Sequence, residues 1–225
     1  MIVAQRKPMD EIRGFLDRYS RVLVLGCGGC VTVCNAGGER EVGTLVSVLK
    51  LSGISEVEQG TIERQCDAEF FEEIRALGES CEAILSMACG AGVQMAARIF
   101  PDKPVFPGLN TQGMALNEGA GEWTEACLGC GDCKLGIFGG VCPMTQCSKS
   151  LCNGPCGGSE NGKCEVDPET VECGWQKIYD RLARIGRLDV LETVEEPRDW
   201  SKTHDGRPRH IIRQDLAEEG FSSNE

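Results

Sequence analysis

The segment Val22-Leu23-Val24-Leu25-Gly26-Cys27 decides the fold. Its four consecutive apolar residues do not alternate with polar ones, which is typical of a strand covered on both faces in a parallel sheet. Further apolar runs follow near 54–57, 83–87 and 105–106, and helical patterns separate them. Because strands alternate with helices, the sequence predicts an α/β fold with a Rossmann-like or flavodoxin-like parallel sheet of about four strands.

Four helical patterns flank and separate the predicted strands. Each repeats apolar residues three or four positions apart, the spacing that places them on one face of a helix. The patterns comprise Ile12, Phe15, Leu16 and Tyr19 after Pro8; Val42, Leu45, Val46 and Leu49; Phe70, Phe71, Ile74 and Leu77 after Asp67; and Val93, Ala96, Ala97 and Phe100. Each helix is therefore expected to pack one apolar face against the sheet.

The composition is that of an acidic protein with an ordinary core. The chain has 225 residues, of which 41% are apolar, and a formal net charge of −12. Nucleic acids and anionic membranes are bound chiefly through basic side chains, so this charge argues against both as partners. No stretch approaches the roughly 20 apolar residues that span a bilayer, and residues 1–10 lack the apolar run of an export signal. We therefore expect a cytoplasmic protein without membrane insertion.

The cysteine content indicates metal ligation. The chain has 15 cysteines and only two histidines, His204 and His210, which lie in a polar tail far from any cysteine cluster. Disulfides are the weaker interpretation, because they belong mainly to small secreted scaffolds, and mixed Cys/His zinc sites are disfavoured by the position of the histidines. Most cysteines are therefore predicted to bind metal as thiolates, whereas Cys81 is predicted to be a small core residue.

A first group of cysteines follows the predicted strands. Sites in parallel sheets form beyond the carboxyl ends of the strands, where the strand order reverses. If the order is 2-1-3-4, the segment Cys27-x2-Cys30-x3-Cys34 after the first strand faces Cys89 after the third. Cys27, Cys30, Cys34 and Cys89 are therefore predicted to hold one [4Fe–4S] cluster, with Cys66 as the reserve candidate for one position.

The second half of the chain carries nine more cysteines. Cys127-x2-Cys130-x2-Cys133 has the spacing with which bacterial ferredoxins bind three corners of a [4Fe–4S] cluster, and Cys142-Pro143 resembles the fourth ligand of that pattern. The remaining five are Cys147, Cys152, Cys156, Cys164 and Cys173. We predict a cluster on the first three with one distal cysteine, and a further four-cysteine site, iron–sulfur or zinc, among Cys142, Cys147, Cys156, Cys164 and Cys173.

Two questions stay open at this level. Spacing alone rarely separates zinc from iron–sulfur ligation, and it does not decide which distal cysteine belongs to which site. The domain organisation follows from the composition: an α/β domain with a cluster-binding loop at 1–110, a linker at 111–126, a cysteine-rich metal-binding module at 127–190 and a polar tail at 191–225.

The cysteine-rich module resembles a known family. The resemblance rests on Cys142-Pro-Met-Thr-Gln-Cys-Ser-Lys-Ser-Leu-Cys-Asn-Gly-Pro-Cys-Gly-Gly, continued by Gly162-Lys-Cys-Glu-Val and Glu172-Cys-Gly-Trp. This module is similar to the C-terminal domain of methylenetetrahydrofolate reductase-associated proteins. Together with the α/β half, the chain resembles the small MetV-type subunit of the two-subunit reductases of anaerobes. An apolar residue at the position of Cys152 would fit the family better, which makes Cys152 the predicted spare.

The resemblance implies a role in electron transfer. In that family the small subunit binds a flavin-containing (β/α)8-barrel reductase and relays electrons to its FMN, for reduction of methylenetetrahydrofolate to methyltetrahydrofolate in the methyl branch of the acetyl-CoA pathway. The electron donor, ferredoxin or another donor subunit, stays open. The predicted cofactors are two or more [4Fe–4S] clusters, with zinc as the alternative at one site. Two other functions are consistent with the residues alone: an independent enzyme with a substrate-binding cluster, and a zinc-binding scaffold subunit.

Overall fold

The computed structural model describes residues 1–203 and 208–213. The strands are β1 (Ile2–Arg6), β2 (Arg21–Cys27), β3 (Glu56–Ile62), β4 (Ala83–Ser86), β5 (Val105–Pro107), β6 (Leu109–Gly119) and β7 (Glu122–Cys127). The α-helices are α1 (Met9–Leu16), α2 (Cys30–Val33), α3 (Glu39–Leu51), α4 (Arg75–Ser80), α5 (Gly90–Ile99), α6 (Pro143–Gln146) and α7 (Gly174–Arg184). Short 3₁₀ helices occupy Ala68–Phe71, Leu188–Glu192 and Trp200–Lys202. The chain divides into two compact units, Met1–Glu125 and Ala126–Glu225.

The first unit contains a four-stranded parallel sheet in the order β3-β2-β4-β5. The predicted α/β class and the number of parallel strands are confirmed. In chain order of these four strands the arrangement is 2-1-3-4, so the order reverses between β2 and β4. The carboxyl ends of β2, β3 and β4 therefore share one edge of the sheet.

Alternate residues of β2 enter two separate cores. Val22 and Val24 pack with α1 and α3 on one face, and Leu23 and Leu25 pack with α4 and α5 on the other. All four are fully buried, as a strand of period two covered on both faces requires. Cys81 is 1% exposed within the second core, which confirms its prediction as a core residue.

The structure differs from the sequence-based expectation in the third helix and in the linker. The pattern after Asp67 forms a 3₁₀ turn at Ala68–Phe71 and the separate short helix α4, although Asp67 does cap the segment by accepting a hydrogen bond from Glu69 N. Residues 111–126 are not an irregular linker, because most of them belong to β6 and β7. β6 pairs antiparallel with β1, and β7 lies beside β6. Pairing with so distant a segment leaves no local signal in the composition.

The second unit has little regular structure and a small core. Phe138, Cys173, Trp175, Ile178 and Leu182 form that core on one face of α7. Within the tail predicted at 191–225, Glu195 exchanges two hydrogen bonds with Asn153 and pairs with Lys134 at 3.3 Å. The rest of that predicted tail lies partly outside the described residues, at 204–207 and 214–225. Within the described part of the chain, no helix is long and apolar enough to cross a membrane.

Candidate metal centres

Three cysteines of the first unit lie beyond adjacent strand ends. Cys27 is the last residue of β2, Cys66 follows β3 by four residues, and Cys89 follows β4 by three. Burial raises the pKa of the Cys66 thiol, and repulsion from Cys27 and, more weakly, from Cys89 raises it further. The carboxyl ends of these three parallel strands lie at one edge of the sheet, so we call the three residues the sheet-edge cysteines.

Cys30 and Cys34 differ in their surroundings. Cys30 is exposed at the start of α2, directly after the loop that leaves β2. Cys34 is buried in the core between the sheet and β1, where its Sγ lies 3.7 Å from Ala4 O and 3.6 Å from Val31 O. Cys34 therefore faces the core, whereas Cys66, the reserve candidate, is exposed in the loop after β3.

A buried polar network joins the loops that carry the sheet-edge cysteines. Gln65 is fully buried; its Nε2 donates to Leu25 O at 2.8 Å, and its Oε1 accepts from Ser86 Oγ at 2.7 Å. These three residues precede Cys66, Cys27 and Cys89 in the chain by one to three positions. Sequence reasoning missed both Gln65 and Ser86, although a serine ending the apolar run of β4 was a detectable signal.

Local backbone features favour thiolates at this edge. Cys89 is the N-cap of α5, and the positive end of a helix dipole stabilises a thiolate. Gly92 in the first turn of α5 is needed for close packing, because a Cβ there would lie 2.8 Å from Cβ of Gln65. Glycine at position 92 therefore lets the first turn of α5 approach the loop that carries Cys66, and any residue with a side chain would hold the two apart.

A cavity lined by cysteines lies in the second unit. It has a volume of about 290 Å³, and five cysteines line it. We call it the large cysteine cavity; its cysteines are Cys127, Cys130, Cys133, Cys142 and Cys152. The Gly129 amide donates to Cys127 Sγ at 3.3 Å, which is the way backbone amides commonly support metal-bound thiolates.

Two arginine side chains from later segments donate hydrogen bonds to the backbone of the loop that lines the large cysteine cavity. Arg198 Nη2 donates to Asp132 O at 2.9 Å, and Arg209 Nη1 donates to Gly129 O at 2.8 Å. Both bonds reach the loop that holds the closely spaced cysteines. These long-range contacts replace the apolar packing that the glycine-rich loop cannot supply.

The other four cysteines of the second unit line a separate, smaller cavity. Its volume is about 20 Å³. We call it the small cysteine cavity; its cysteines are Cys147, Cys156, Cys164 and Cys173. A hydrogen bond with Ser148 Oγ, 3.3 Å from Cys164 Sγ, lowers the pKa of the Cys164 thiol, and backbone bonds from Val166 add to this.

The distal cysteines, which spacing left unassigned, line different cavities. Cys142 lines the large cavity, and Cys147, Cys156, Cys164 and Cys173 line the small one. Across residues 1–203 and 208–213, no three Cys, His, Asp or Glu side chains already surround a metal position. The donor chemistry nonetheless fits soft metal centres, since each cavity offers four or more thiols.

Comparison with known proteins gives one match. Residues 106–201 match the family model described as "Methylene-tetrahydrofolate reductase C terminal". This supports a relationship to methylenetetrahydrofolate reductases, in agreement with the resemblance of the module. The matched segment contains both cysteine cavities and excludes the sheet-edge cysteines. Searches of the curated proteins and of the solved structures found no match.

Proposed function

We propose that this chain is an electron-transfer iron–sulfur subunit that relays electrons to an FMN-containing methylenetetrahydrofolate reductase. The observation that carries the proposal is the large cysteine cavity within the segment that matches the reductase family model. A [4Fe–4S] cluster supplies one-electron chemistry at low potential, which a flavin partner converts into two-electron reduction of its substrate. The partner would be the flavin-containing barrel subunit that the resemblance implies.

The ligands proposed for this first cluster are Cys127, Cys130, Cys133 and Cys142. The first three share one short loop, and the Gly129 amide within it already donates to the sulfur of Cys127. Cys142 is the N-cap of α6 and lines the same cavity. Cys152 lines the cavity too, but its Sγ lies 3.3 Å from Met144 Sδ, and a cluster needs only four thiolates.

A second cluster is proposed at the sheet edge of the first unit. Its ligands would be Cys27, Cys30, Cys66 and Cys89, with Cys34 replaced by Cys66 because Cys34 faces the core. The Gln65–Ser86 network fixes the loops that bear these ligands before any metal binds. Centres in both units would give the protein a series of redox sites, which is what a relay requires.

Measuring iron and sulfide in the anaerobically purified chain tests this proposal. We expect about eight iron and eight sulfide per chain for two clusters, and an EPR signal after reduction. Cys142→Ala should remove about four iron atoms, whereas the matched control Cys152→Ala should keep them. A chain without iron and sulfide would refute the relay. The reverse result for the two variants would refute only the assignment of Cys142.

A further inference from the structure

We infer that the small cysteine cavity binds a single zinc ion through Cys147, Cys156, Cys164 and Cys173, as a structural site distinct from the proposed clusters. All four thiols line one cavity, and no other cysteine of the described residues lines it. Four thiolates around one position are the ligand set of closed structural zinc sites. The inference adds to the proposed function without depending on electron transfer.

The size of the small cysteine cavity suits one ion better than a cluster. A volume of about 20 Å³ accommodates roughly one water-sized body. The large cysteine cavity, at about 290 Å³, has more than ten times that space. An eight-atom [4Fe–4S] cluster therefore suits the large cavity, and a single ion suits the small one.

The backbone around the small cavity brings the ligands together in pairs. Cys164 N donates to Val171 O at 2.9 Å, and Cys173 N donates to Gly162 O at 2.8 Å. The bridge between Lys163 and Glu172 lies between these two bonds. This small hairpin therefore fixes the separation of Cys164 and Cys173 without an ion.

Gly174 brings the start of α7 against the end of α6, which carries Cys147. A Cβ at position 174 would overlap Gln146 O and lie 2.8 Å from Cys147 N. Only glycine permits this approach of Cys173 to Cys147. Because Cys173 also belongs to the core of the second unit, an ion held there would tie the loops to that core.

The charge around the cavity suits a tetrathiolate site. Zinc with four thiolates carries a net charge of −2, and binding displaces four thiol protons. Lys149 lines the cavity and forms an ion pair with Glu165, which lines it as well. Because the two charges offset each other, this pair adds no net negative charge beside the thiolates.

Metal analysis of the full-length, anaerobically purified protein tests the inference. We expect about one zinc per chain, and X-ray absorption at the zinc edge should show four sulfur ligands at about 2.3 Å. Cys164→Ala should lose the zinc and keep the iron, whereas Cys142→Ala should lose iron and keep the zinc. Gly174→Ala should weaken zinc retention against a chelator, while the matched control Gly136→Ala, whose Cβ meets no atom within 4 Å, should not.

The zinc content tests this inference, and the iron content tests the proposed function. Zinc with four sulfur ligands in a protein without iron would uphold the zinc site and refute the relay. An iron-loaded protein without zinc, a single iron in place of zinc, or zinc bound by nitrogen or oxygen would overturn the inference. If Cys164→Ala does not fold, the absorption spectrum of the unaltered protein still decides.

Discussion

Gln65 shows how one buried side chain can position a ligand group at a distance. It makes two hydrogen bonds in a fully buried position, to the backbone of β2 and to the hydroxyl at the end of β4. The carboxyl ends of β2, β3 and β4 are thereby held together at one edge of the parallel sheet. A buried polar network whose members are all paired specifies a single arrangement, which a metal-binding edge needs.

Replacing Gln65 by alanine should destabilise the first unit and lower its iron occupancy. The change leaves the buried Ser86 hydroxyl without its acceptor, which costs about 1–3 kcal/mol, whereas Leu25 O keeps the hydrogen bond from Met87 N. Urea unfolding followed by circular dichroism measures the loss. Gln94→Ala is the matched control, because Gln94 is exposed and bonds only within its own helix. Equal stability of the two variants would contradict the role given to Gln65.

Cys66 and Cys34 offer the sharpest residue-level test of the sheet-edge cluster. Cys66→Ala should remove about four iron atoms per chain, because Cys66 follows β3 at the sheet edge where Cys27 ends β2 and Cys89 follows β4. Cys34→Ala should leave iron unchanged, because its thiol faces Ala4 and Val31 in the core. Iron analysis with EPR distinguishes the two. If only Cys34→Ala lost iron, Cys34 would be the ligand, as the sequence predicts, and the assignment of Cys66 would be wrong.

At the scale of elements, the sequence predicts what depends on local pattern. The continuous apolar run of β2 and the periodic faces of α1, α3 and α5 indicate the four-stranded parallel sheet without any structure. The pairing of β1 with β6 was missed because it joins residues more than 100 positions apart, such as Ile2 and Met114. β7 lies beside β6 after a turn of two residues, a local signal that the linker prediction did not use. Spacing along the chain likewise does not reveal which way a side chain turns, so it left Cys66 as the reserve candidate beside Cys34.

Gly37, in the loop that follows Cys34, lies against the end of β4. A Cβ there would overlap Met87 O, and Gly37 O accepts from Cys27 N at 3.0 Å. Gly37→Ala should therefore lower the free energy of unfolding by about 1–3 kcal/mol, the usual cost of overpacking. Gly43→Ala, inside α3 with no atom within 4 Å of its Cβ, should raise it by about 0.5–1 kcal/mol. Urea titrations of both variants that shifted in the same direction would contradict this account.

At the scale of the whole molecule, the two units differ in what stabilises them. The first has two apolar cores on either side of a sheet, and the second has one small core and many loops. In the second unit Trp175 donates to Leu151 O at 3.0 Å and packs edge-on against Phe138. Metals would supply the cross-links that a larger core supplies in the first unit.

Removing the metals should therefore unfold the second unit and spare the first. Chelation after oxidation should abolish the near-ultraviolet circular dichroism of Trp175, while the far-ultraviolet signal of the first unit's helices persists. A Trp175→Phe variant of the loaded protein identifies the tryptophan signal. A metal-depleted protein that kept the Trp175 signal would show that the second unit folds without metal.

The relay itself is tested most directly by turnover with and without a flavoprotein partner. The assay measures anaerobic reduction of methylenetetrahydrofolate by the isolated chain, by an FMN-loaded methylenetetrahydrofolate reductase subunit, and by the two together, with a reduced one-electron donor. We predict that the chain alone takes up electrons, seen as bleaching of its visible absorption, without turnover, and that adding it to the flavoprotein starts or accelerates turnover. Turnover by the chain alone, or a flavoprotein rate that the chain leaves unchanged, would contradict the account.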